Sequence, residues 1–141
     1  MYACIARFSL IAGGLACSAI AHAATIMIES KSDDTVGQNV VYNLRNQISR
    51  SSVHKLVYSR DDAGFVISIV TLPDSDGSTI YSAALLMPPF NKKGFDYYIN
   101  GLVGSCGSRV VENCAANILS GFDDDMARIA TAVRDAMQKP K

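Results

Sequence analysis

The amino-acid sequence predicts an α+β domain: one mixed sheet of about five strands, in the order β-α-β-β-β-β-α, with two helices packed on one face. Three observations carry this. Two windows, opening near Val36 and Val111, repeat apolar residues every three or four positions, so each reads as a helix with a single stripe to bury. Five shorter runs rich in β-branched and aromatic residues are separated by clusters of Gly, Pro, Asp and Ser, the pattern of strands and turns. The chain has 141 residues, 49% of them hydrophobic and 18% charged, which suits one globular domain and excludes a disordered polymer.

Residues 1–23 stand apart from that domain. Arg7 precedes an uncharged apolar run from Phe8 to Ile20, and Ala21, His22 and Ala23 follow, which is the layout of a secretory signal peptide with small residues at its cleavage site. The apolar run falls short of the roughly 20 residues that span a bilayer. Cys17 is poorly placed for lipid attachment, because Leu15 stands one position too close to it. The expectation is cleavage after Ala23, leaving residues 24–141 as a single periplasmic domain with no integral membrane segment. Cys4 and Cys17 would leave with the signal, and the remaining pair, Cys106 and Cys114, is then expected to form a disulfide in an oxidising compartment.

Each element can be justified in order. Thr25 to Glu29 alternates and is β-prone, so it reads as the first strand before SKSDD. Thr35 with Gln38 can form a reciprocal cap on the helix that follows, whose apolar face is Val36, Val40, Val41, Leu44 and Ile48. The short run Val53 to Ser59 is the second strand, and RDDAG turns the chain into Phe65 to Leu72, apolar enough to be a central strand covered at least partly on both faces. PDSDGS makes a hairpin turn to Thr79–Met87. Pro88 and Pro89 stop that strand, and the fifth runs from Phe95 to Cys106, with Gly101 and Gly104 marking a bulge or a close backbone approach. From Ser108, expected as the cap, Val111, Cys114, Ala115, Ile118, Phe122, Met126, Ile129, Val133 and Met137 share one face in phase across Gly121, which favours one continuous or slightly kinked helix over two joined at Gly121.

Cys106 and Cys114 cannot both lie within one helix if they are bridged. Eight residues at about 1.5 Å each would set their Cα atoms roughly 12 Å apart, against a limit near 7 Å. Cys106 must therefore precede the helix, tied to the end of the fifth strand, with Gly104 and Gly107 expected to allow the reversal.

Charge and motif exclude several functions. Thirteen basic residues balance thirteen acidic ones, so no basic stripe is available for nucleic acid. His54, the only histidine after the signal, lacks a glycine-framed nucleophile and reads as a strand-surface residue, so no catalytic set emerges. Seven residues intervene between Cys106 and Cys114, unlike the close spacing of a redox dithiol. PDSDGS lacks the ligands of a calcium loop, and Asp123 to Asp125 would diverge by about 100° per residue on a helix. No metal and no cofactor is expected. Tyr81, Tyr97 and Tyr98 are the candidate surface for contact with a partner.

The stretch VGQNVVYNLRNQISRSSVHKLVYS, followed by DAGFVISIVTL, resembles the small envelope domain at the N-terminus of TolB and the related LpoB and CsgG domains. The shared features are LR near the helix centre, a polar helix end in SRS, a short strand, and a residue pair leading into a long apolar strand. The resemblance spans most of residues 24 to 120, and Gly104 to Gly107 also resembles an element of short exported proteobacterial proteins. It implies a periplasmic domain that binds another envelope protein. The expected function is thus a non-enzymatic accessory or binding protein of the cell envelope. The alternative is a small hydrolase or thiol-redox enzyme whose site is assembled from residues distant in sequence.

Overall fold

A computed structural model describes residues 23–138; the expected signal peptide lies, except for Ala23, outside the described residues. The elements are β1 (Ala24–Ser32), α1 (Thr35–Arg50), β2 (His54–Leu56), a short 3-10 turn (Arg60–Asp62), β3 (Phe65–Pro73), β4 (Thr79–Met87), β5 (Tyr97–Cys106) and α2 (Val111–Gln138). They form one five-stranded mixed sheet in the order β2-β1-β3-β4-β5. β1 pairs in parallel with both β2 and β3, and the β3-β4-β5 meander is antiparallel.

Strand alternation sorts side chains to two faces. Ile26, Ile28, Phe65, Ile67, Ile69, Tyr81, Ala83 and Leu85 point to one side, where Val40, Val41, Leu44 and Ile48 of α1 and Ala115, Ile118, Phe122 and Met126 of α2 close the core. Both helices therefore share one face, as each helix's single apolar stripe requires. The other face carries no α-helix among the described residues; there the 3-10 turn reaches Glu29 of β1 through Arg60.

Several boundaries differ from expectation for identifiable reasons. β1 runs on to Ser32, because β3 pairs with it as far as Thr71. Asp34, not Thr35, caps α1: its Oδ1 accepts the Gly37 N–H at 2.7 Å, while its Oδ2 accepts the hydroxyls of Thr71 at 3.0 Å and Thr79 at 2.9 Å. Phe95 lies outside β5, and the β5 irregularity falls opposite Leu85 and Leu86 rather than at the glycines. α2 begins at Val111, after the Val110 N–H bonds to the Gly107 carbonyl, so Ser108 sits in the preceding turn. The helix is continuous through Gly121, but burial ends near Ile129 and Met137 is exposed. The Cys106–Cys114 disulfide forms with Cα atoms 6.1 Å apart, joining the end of β5 to the first turn of α2.

Candidate functional site

Two features of the described residues have functional content: the uncovered sheet face and a pocket beside β2. The face follows from register. β3 sets Val70 and Leu72 outward, β4 sets Ile80 and Ala84 beside them, and β5 adds Val103 and Tyr98. Val103 is 75% exposed, Tyr98 67% and Leu72 56%. A strand with both faces covered would hide Val70 and Leu72; here cover holds only at Val66, near the start of β3, which is fully buried. At that end Arg60 pairs with both Glu29 and Asp96, tying the 3-10 turn to the connection before β5. Ser82 lies between Val70 and Val103 across the ladder, and Lys31 flanks Val70 from β1. The result is an apolar patch with a polar margin, the makeup of a contact surface.

The three tyrosines do not share this surface. Tyr81 is 8% exposed and belongs to the core, directly opposite Gly104; a Cβ built on that glycine would lie 2.5 Å from the Tyr81 hydroxyl. On the outer face Tyr98 lies likewise over Gly101, where a Cβ would come within 2.6 Å of its hydroxyl. Each glycine of β5 is thus the seat of a tyrosine, which explains why a strand interior tolerates both. Tyr97 pairs with Met87 at the strand's start and is exposed. Tyr81 must therefore be removed from the expected contact surface, and Val70, Leu72, Ile80 and Val103 are the residues that sequence reasoning missed. Their signal was that both phases of FVISIVTL and TIYSAALLM are apolar, while only two helices were available to cover them.

The pocket has a volume of about 390 Å³ and lies between the start of β1, Val53 and α2. His54 is not the surface residue expected. It shares the inward phase of Leu56, its side chain is 8% exposed, and its Nε2 lies 2.9 Å from Asp123 Oδ1. A carboxylate only accepts, so Nε2 donates, and the buried Nδ1 has no hydrogen-bond partner among the described residues. Of the adjacent acids, Asp124 is exposed and Asp125 instead accepts from Asn100 Nδ2 at 2.8 Å. The three carboxylates diverge to β2, solvent and β5, as helical spacing demands. With Nε2 held by Asp123 and Nδ1 buried, proton exchange with a bound ligand would require the ring to release one of these two positions. The one hydroxyl in the lining among the described residues, that of Thr131, donates to the Ala127 carbonyl of its own helix at 2.9 Å, and no Ser or Cys lines the pocket among the described residues.

Cys106 and Cys114 are both buried, at 1% and 7% exposed, which removes the bridge from attack by an external thiol. No helix of the described residues is long and apolar enough to cross a membrane.

No family model matches the sequence, and no curated protein matches it. Among solved structures, the chain is similar to a hypothetical protein, CT253, from Chlamydia trachomatis, with a TM-score of 0.43 and 9% identity over 58% of this chain and 69% of that one. It is also similar to a PelC dodecamer from Paraburkholderia phytofirmans, with a TM-score of 0.42 and 13% identity over 69% of this chain and 83% of that one.

Proposed function

We propose that this chain is an exported, non-enzymatic accessory or binding module of the cell envelope, which docks another envelope protein on its uncovered sheet face. The apolar patch of Val70, Leu72, Ile80 and Val103 carries this reading, since side chains of that size are left in water at a cost unless something covers them. The signal-like residues 1–23, the disulfide and the resemblance to the TolB-type envelope domains support placing it in the periplasm. A photoreactive residue placed at Val70 or Ile80 in cells should yield one discrete crosslinked protein. The same residue at Asn39, exposed on α1, should not; equal capture from both positions would sink the reading.

The His54–Asp123 pair favours a second reading, a small periplasmic hydrolase, because it joins residues 69 apart beside a pocket. Ester or peptide hydrolysis that His54→Gln abolishes while the protein stays folded would establish it over the first.

A further inference from the structure

The sheet ends on two edges, and the sequence treats them differently. β2 is three residues long and carries Lys55, two devices that keep a strand edge from pairing. β5 has ten residues, Tyr97–Cys106, with no charge and no proline, and no strand pairs with its outer side among the described residues. Beyond the irregularity near its start, Asn100 to Cys106 hold unbroken register with β4, so the free edge is regular as well as long. Such an edge presents backbone donors and acceptors that only another strand can satisfy in kind; one of them, the Gly101 N–H, is held locally by Asn100 Oδ1 at 2.8 Å, a bond that an incoming strand would have to displace.

We propose that β5 pairs antiparallel with β5 of a second copy about a two-fold axis, joining two five-stranded sheets into one of ten strands. Self-complementarity selects a copy over a foreign strand. A two-fold ladder brings every residue against its own kind of strand, and an uncharged edge brings no like charge to the axis. With the axis at Leu102, Val103 of each copy comes opposite Gly101 of the other, on the outer face where Tyr98 lies over that glycine. Val103, three-quarters exposed in the monomer, then packs against a tyrosine ring, and the contact occurs twice. The pairing also joins the two apolar faces side by side. A ladder this short belongs among small interfaces, so dissociation falls on the order of micromolar concentrations.

Sedimentation of the protein purified from the exported fraction tests this, over about 1 to 100 µM. The mass should rise from one chain to two, and amide exchange in β5, but not in β2, should slow as concentration rises. Val103→Lys, which sets a charge beside its two-fold mate, should weaken the dimer by about tenfold or more. Val70→Lys, on the same face but two strands from the edge, should leave it intact, which separates edge pairing from docking on the face. A single chain at every concentration overturns the proposal. So does a dimer that Val70→Lys dissolves and Val103→Lys does not. Should Val103→Lys fail to fold, exchange in the unsubstituted protein decides: β5 protection independent of concentration overturns it.

Discussion

At the scale of single residues, the region where α1 meets the β3–β4 hairpin is set by Gly37 and Asp34. Gly37 is buried in the first turn of α1, and a Cβ there would fall 2.0 Å from Thr71 Oγ1. Because that atom sits on a β-branched, fully buried side chain, it cannot swing away. Gly37→Ala should therefore destabilise by about 1 to 3 kcal/mol by overpacking, against the usual benefit of Ala in a helix; chemical denaturation measures it. Burial pushes the Asp34 carboxyl up, but hydrogen bonds from Gly37, Thr79, Thr71 and Val36 outweigh it and hold the carboxyl below its ordinary value. A group whose folded pKa lies below the unfolded value of about 3.9 contributes stability above that value, and loses it as pH falls through the folded pKa. Acid unfolding should accordingly be less steep below about pH 4 in Asp34→Asn than in the parent. Asp34→Ala should cost about 2 to 4 kcal/mol, from the lost cap and the orphaned Thr71 hydroxyl, read as a lowered denaturation midpoint. None of this was legible locally. Asp34 to Thr79 spans 45 residues, and the Thr35–Gln38 pair offered an equally good cap by spacing alone.

Elements, by contrast, were largely legible, because a helix stripe or a strand alternation is written within a dozen residues. Val40, Leu44 and Ile48 recur at helical spacing, and all three are fully buried. The β3–β4 hairpin follows from PDSDGS between two β-prone runs. What escaped were relations between elements. His54 shares the phase of Leu56, so its burial could have been read from β2, but its partner Asp123 lies 69 positions away on α2. The disulfide was accessible because both cysteines flank one turn, and geometry excluded a shared helix. It closes a loop across a separation of eight residues, and the chain-entropy model gives about 2.5 kcal/mol for it. Cys106→Ser with Cys114→Ser should thus lower stability by about that amount, measured by denaturant titration without reductant. Leu44→Ala, which empties the centre of the α1 stripe, should cost about 2 to 5 kcal/mol by the same measurement.

At the scale of the whole molecule, the arrangement follows from having two helices and one five-stranded sheet. Two amphipathic helices have only enough apolar surface to close one side, so α1 and α2 pack beside each other there and the opposite side stays open. The apolar residues on that open side have no role in closing the core. Stability and binding should therefore separate: replacing Val70 and Ile80 together with Thr, which keeps β-branching in the strands, should move the unfolding free energy by no more than about 1 kcal/mol. The same double variant should abolish the crosslink from a probe at Leu72, because the patch loses apolar area at its centre while its backbone is unchanged. Calorimetry and crosslinking on one preparation check both halves. A large loss of stability would mean that the outer face is covered within the fold, and an unchanged crosslink would mean that the partner reads some other surface.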